Sequence, residues 1–157
     1  MKTVTKEKLC AFYASDYHFE MVSLPYINNK IENNEEIIIL TENNLEKTIK
    51  ILLDRTNFKG DKKKQILNIN WNNNDLEKFK KIKTKINEEK NIIIFIKGKE
   101  NYIHNVNQNI EKWITGKSKI KIIDCYDIDE VGEKTNEIMK QYQKVLKTTG
   151  EREIKKI

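Results

Sequence analysis

Two groups of titratable residues in this 157-residue chain have the types and spacing to do chemistry. The first is Asp16, His18 and Glu20. An imidazole titrates near neutrality and a neighbouring carboxylate can orient it, which are the requirements of general acid–base catalysis. Residues two apart on a helix point away from each other, however, so a surface histidine beside a helix cap explains the same letters more simply. The second group is Asp124 with Asp127 and Asp129, a set that could hold magnesium or accept a phosphoryl group. Capping is again the simpler account: Asp127 suits an N-cap, and Asp129 and Glu130 suit the first turn of a helix. An enzyme acting on a small or nucleotide-like substrate would draw on Asp124, Asp127 and His18. His104, next to the inward-facing Ile103, reads as structural.

Metal and phosphate chemistry are poorly provided for. Cys10 and Cys125 fall in predicted strands, with no CxxC spacing and no histidine pair, and fit reduced thiols in an intracellular protein. A phosphate loop needs Gly-x-x-x-x-Gly-Lys-Ser/Thr after the first strand, so that backbone amides crowd the phosphates and a lysine reaches them. The corresponding turn reads Tyr13-Ala14-Ser15-Asp16-Tyr17-His18, with no glycine, no lysine and a carboxylate that repels phosphate. Gly98, in Lys97-Gly98-Lys99, is a single glycine. A phosphoacceptor receiver needs paired acids after strand one and an aspartate ending strand three, where Asn68 and Asn70 stand instead. No cofactor is implied.

The elements that must position these residues are five short apolar runs: Leu9–Tyr13, Ile37–Thr41, Gln65–Ile69, Asn91–Ile96 and Ile120–Asp124. They are rich in isoleucine and are followed by amphipathic patterns, as buried parallel strands with covering helices require. The expected fold is therefore a single α/β domain over residues 1–157, three α/β/α layers around a mainly parallel five-stranded sheet. Strand one should be central, and the run Ile92–Ile96, the most apolar, should be central too. The first helix carries Tyr17, Met21, Leu24, Ile27 and Ile31 at 3–4 spacing, with Pro25 marking a kink or a restart. Later helices turn inward Leu45, Ile49, Leu52 and Leu53, then Leu76, Phe79, Ile82 and Ile86, then Ile103, Val106, Ile110 and Trp113, the last of these stopped by Gly116. A long final helix is expected from Ile128 through Val131, Ile138, Tyr142 and Val145. Met139 and Leu146 widen its stripe, which makes it a candidate homodimer or partner surface. The tail Glu151–Ile157 could be an edge strand, a fraying end or a stub.

Parallel sheets place their sites at the carboxyl ends of their strands. There the aromatic residues Phe12, Tyr13, Tyr17, Trp71 and Tyr126 would converge, which suits either a small planar ligand or rim packing. The candidate ligand-binding set is Tyr13, Asp16, Tyr17, His18, Trp71, Asp124 and Tyr126.

The net charge is +6, but only Arg55 and Arg152 among the 30 basic residues are arginine, the residue that reads bases and forks onto phosphates. Nucleic acid is thus an unlikely partner, and an RNA-binding regulator using the lysine-rich helices is the third reading. Lys62-Lys63-Lys64 reads as a solvated loop. No apolar run approaches membrane-spanning length and the amino terminus has no apolar leader, so a cytoplasmic location without membrane contact is expected.

The stretch Phe12-Tyr13-Ala14-Ser15-Asp16, the proline-bearing Leu24-Pro25-Tyr26-Ile27, and Ile31-Glu32-Asn33-Asn34-Glu35-Glu36 leading into Ile37-Ile38-Ile39-Leu40 resemble the start of MEDS sensory domains. Those domains run Phe-Tyr, an acidic helix, Pro-Phe, Gly-Leu and Gly-Glu before a strand. Here Lys30 and Asn34 stand where the family has glycines, and Lys8-Leu9 where many members carry a histidine. The segment Ile66-Leu67-Asn68-Ile69-Asn70-Trp71 is similar to the family's third strand and its acidic turn, with Asn70 near the expected carboxylate. The resemblance covers about the first half. It implies a RecA-like sheet without a phosphate loop in a sensory domain of bacterial signalling, one that binds a small molecule or a regulatory protein partner rather than catalysing a reaction.

Overall fold

A computed structural model describes residues 5–86, 88, 91–114 and 119–154. The chain runs β1 (Thr5–Tyr13), α1 (Asp16–Glu32), β2 (Glu36–Thr41), α2 (Glu46–Asp54), α3 (Gly60–Leu67), α4 (Asp75–Lys85), β3 (Asn91–Gly98), α5 (Glu100–Trp113), β4 (Lys119–Asp127) and α6 (Ile128–Val131). A 3₁₀ turn (Gly132–Lys134), α7 (Thr135–Met139), β5 (Lys144–Lys147) and β6 (Gly150–Glu153) complete it. The sheet order is β2-β3-β4-β1-β5-β6, parallel throughout except for the antiparallel β5–β6 pair. This is the expected mixed α/β layering, with six strands rather than five. β1 is interior and parallel to both neighbours, as expected, while β3 lies one strand in from the β2 edge.

Two cores sandwich the sheet. Leu9, Ile39, Phe95 and Ile123 pack under α1, α2 and α3 on one face. Ile94, Ile96, Ile122 and Val145 pack under α4, α5 and α7 on the other. β2, β3 and β4 bury residues of both parities, which is why they read as unbroken apolar runs rather than alternating ones. α1 leaves β1 over the first face and α6 leaves β4 over the second. The crevice between the carboxyl ends of β1 and β4 is therefore the topological switch point, where open α/β sheets bind ligands.

Several expectations are corrected. The run Gln65–Ile69 is not a strand: α3 extends to Leu67, and the chain then turns back through an Ile69 N–H to Ile66 C=O bond. Only Ile66 is fully buried there, whereas Leu67 is 40% exposed, so the run lacks the two-sided burial an inner strand needs. Lys62-Lys63-Lys64 accordingly lies on a helix, not a loop. In α1 Leu24 and Ile27 are buried and Ile31 packs against the core as expected, but Tyr17 and Met21 face solvent, and Phe19, Val22 and Tyr26 complete the inward face. The helix runs through Pro25 without a break, with the proline on its exposed side.

The long final helix does not exist. α6 stops at Gly132, whose φ of +49° suits glycine, α7 ends at Met139, and Lys144–Lys147 joins the sheet beside β1. Val145 faces one core and Leu146 the other, an alternation that a strand satisfies and a helix cannot. Leu146 is 2% exposed and Met139 is partly buried against the core, so the two do not form the expected exposed apolar flank of one helix. Residues 151–153 of the tail belong to the edge strand β6, and Gly116 lies outside the described residues. Leu76, expected inward, is 74% exposed, while Phe79, Ile82 and Ile86 pack as anticipated.

The β6 strand is fastened by one carboxylate. Glu151 accepts from Tyr26 Oη at 2.6 Å and from Lys121 Nζ at 2.8 Å. Burial alone would push its carboxyl up, but these bonds and the charges of Lys121 and Lys144 hold it at about 2. At the opposite edge, the buried Lys78 ammonium donates to the Ile39 carbonyl at 2.6 Å and also to the Asn72 carbonyl. It thereby blunts β2, which would otherwise offer free carbonyls to a foreign strand.

Burial also fixes the response to alkali. It pushes the Cys10 thiol up to about 12 and raises Cys125 and the phenols of Tyr13, Tyr26, Tyr102, Tyr126 and Tyr142. Each group keeps its proton in the folded chain at a pH where the unfolded chain releases it, so stability is lost as pH rises above the ordinary values. Lys78, pushed down by burial to about 8, acts oppositely between that pH and 10.5, one group against seven. The urea midpoint should therefore fall steadily from pH 9 to pH 11, and a flat or rising midpoint would contradict these burials.

Candidate functional site

The turn after β1 is closed by its own side chains. Ser15 caps α1, accepting from the His18 N–H at 3.1 Å, and the Ala14 N–H donates to His18 Nδ1 at 2.8 Å. Asp16 Oδ1 lies 2.8 Å from Lys97 Nζ, Asn43 Nδ2 donates to Asp16 Oδ2 at 2.8 Å, and Lys97 donates to Asn43 Oδ1 at 2.9 Å. This three-membered ring joins the carboxyl ends of β1, β2 and β3. Lys97 is 3% exposed and its ammonium sits 4.5 Å from the centre of the Tyr13 ring, so aromatic faces complete its desolvated shell. The cation at this edge is therefore spent on an internal carboxylate. Next to it, Glu20 is buried, accepts from Thr48 Oγ1 at 2.6 Å through one oxygen, and has its carboxyl raised by burial.

A second arrangement lies on the α5 face. Asp124, 1% exposed near the end of β4, accepts from Asn107 Nδ2 at 2.9 Å and from Tyr142 Oη at 2.5 Å, with Lys8 Nζ at 3.5 Å. Tyr142 Oη lies 2.7 Å from Tyr126 Oη, and Phe12 stacks on the Tyr126 ring at 5.8 Å. Four elements supply this network: β1, β4, the segment after α7, and α5, which presents Asn107 one turn beyond Ile103. Above it opens a cleft of about 340 Å³, walled by Asp124, Asn107, Tyr126, Tyr142 and the more exposed Asn101 and Gln141. Its walls are mostly hydrogen-bonding groups around a buried carboxylate. Chemically, such a site can bind and orient a small polar molecule.

The seven expected site residues do not converge. Asp124 and Tyr126 share the cleft, while Tyr13 and Asp16 belong to the Lys97 ring on the other side of the sheet. His18 serves the turn after β1, and Tyr17 is 55% exposed on α1. Trp71 is core, its Nε1 donating to the Ile66 carbonyl at 2.8 Å. The aromatic set is thus divided, because Phe12 and Tyr13 are successive strand residues and point to opposite faces. Asp127 caps α6 through the Asp129 N–H at 2.9 Å, the simpler of its two readings. No hydrogen bond or ion pair joins Asp124, Asp127 and His18 to one another.

Sequence reasoning missed Lys8, Asn43, Lys97, Asn107 and the role of Tyr142. Asn107 had a findable signal: with Ile103, Val106 and Ile110 it falls on the inward stripe of α5, where an amide demands partners. Lys97 had a similar one, standing next to last in a strand that is buried from Ile92 onward. Among the described residues no group of three or more His, Cys, Asp or Glu side chains could hold a metal ion, and no helix is long and apolar enough to cross a membrane. No family model matches the chain, and neither the characterised proteins nor the solved structures searched contain a match to it.

Proposed function

We propose that this chain is a non-catalytic sensory or regulatory domain of the MEDS kind, one that binds a small ligand and communicates with a partner protein or a second copy in bacterial signalling. The observation that carries the reading is the closed turn after β1. A nucleotide-processing relative of the same layering would leave that turn's amides and a lysine free for phosphate. Here the Ala14 amide is spent on His18, Ser15 on its own helix, and the lysine at the edge on Asp16. The interior, parallel β1 supports the RecA-like part of the resemblance. So does Asn34, whose φ of +58° is the left-handed conformation that the family's glycine would favour at that place. Many lysines are engaged in ion pairs, among them Lys62 with Glu32, Lys81 with Glu36 and Lys121 with Glu151, which weakens the RNA-binding alternative.

Binding without turnover distinguishes a sensor from an enzyme. The purified chain, equilibrated with a defined pool of small metabolites and freed of unbound compounds, should release its retained molecule chemically unchanged, as read by mass spectrometry. Consistent conversion of that molecule into a product would overturn the reading.

A further inference from the structure

Resting on the reading of the chain as a small-ligand domain, we infer that the Asp124 cleft is its ligand site and that the ligand is a small neutral polyhydroxylated molecule, of monosaccharide or polyol type. The direction of the hydrogen bonds sets the class. Tyr142 has one hydroxyl proton and gives it to Asp124, so the 2.7 Å contact between the two phenols is a bond donated by Tyr126. Tyr126 Oη then has only lone pairs left to offer. Asn107 uses its Nδ2 twice, toward the Ile103 carbonyl and toward Asp124, both at 2.9 Å, which fixes the orientation of its amide. Its Oδ1 is buried with no partner. Buried acceptors of this kind are costly unless a donor arrives. The occupant must therefore bring O–H or N–H groups.

Charge removes the ionic candidates. Lys8 at 3.5 Å already balances Asp124, and Glu100 at the rim pairs with Lys134 at 3.6 Å. An anion would face two carboxylates with their cations already taken. A cation would have to displace Lys8. Apart from the exposed His104 imidazole, the groups that remain are neutral: the amides of Asn101 and Gln141 can take and give hydrogen bonds, while Asn107 Oδ1 and the two phenols, their protons already spent, accept from hydroxyls around a small ring. A volume of about 340 Å³ lies near the lower end of the ligand-pocket range of roughly 300–1,000 Å³, so the occupant is small.

The test is a calorimetric titration of the full chain with three probe sets: glucose, ribose and myo-inositol; ethanolamine and putrescine; and inorganic phosphate. At least one neutral polyol should bind saturably, and Tyr126→Phe and Gln141→Ala should each weaken it at least tenfold. Tyr126→Phe keeps the ring stacked on Phe12 and Gln141 is exposed, so both variants should fold, which far-UV circular dichroism checks. Amine or phosphate binding that the two variants weaken, with no polyol binding, would overturn the ligand class and leave the small-ligand reading intact. Polyol binding unaffected by either variant would overturn the cleft as its place. Binding by no probe of any class would overturn the inference. Conversion of a bound polyol into product would instead count against the non-catalytic reading and leave the ligand class standing.

Discussion

Replacing Asp124 with alanine should destabilise the domain by about 3–5 kcal/mol, the range for breaking a buried ionic network by removing one partner. The carboxylate is 1% exposed and accepts from Asn107 and Tyr142 while facing Lys8. Without it, a phenol and an amide lose their acceptor in the interior, and the Lys8 ammonium loses its counter-charge. The loss would also loosen β5, because Tyr142 lies two residues before that strand and the strand pairs with β1 at only Leu9 and Cys10. Asp124→Asn keeps the shape and one acceptor, so it should cost clearly less than alanine. Urea denaturation of the three proteins measures both differences, and a loss below about 1 kcal/mol for alanine would show that the network does not hold the fold.

Phe95→Ala should cost a comparable amount, about 3–5 kcal/mol, for a different reason. Phe95 is fully buried near the middle of β3, with Phe19 and Tyr26 of α1 meeting it edge-on at 6.3 and 6.2 Å between ring centres. Truncation removes apolar contact and leaves a cavity beneath α1 that two large rings cannot readily collapse into. Phe12→Ala, on the half-buried ring stacked against Tyr126, should cost less. Equal losses in urea midpoint for the two variants would contradict the placement of α1.

The layering was legible because β2, β3 and β4 are isoleucine runs buried on both faces, and no other element produces such runs at that spacing. The caps were legible too, since Ser15 and Asp127 perform local bonding that nearby residues dictate. What failed did so where tertiary context decides. Val131, Ile138, Tyr142 and Val145 all enter one core, but from two short helices, a turn and a strand, so a helical period in the letters arose from separate elements. Gln65–Ile69 looked like a strand until its exposed Leu67 showed a helix end. The site was half legible: Asp124 and Tyr126 stand out at a strand end, whereas Asn107 and Tyr142 reach them from 17 and 18 residues away. Lys97 and Asn43 were hidden likewise, because their pairing with Asp16 spans three strand ends that only the sheet order brings together.

The central claim is that the turn after β1 is closed to phosphate by its own side chains. Titration with Mg²⁺ and ATP, followed by calorimetry and by backbone amide shifts, tests it most directly. The account predicts no saturable binding in the micromolar range and unshifted amides from Ala14 to His18. Micromolar affinity with shifts confined to those residues would contradict it.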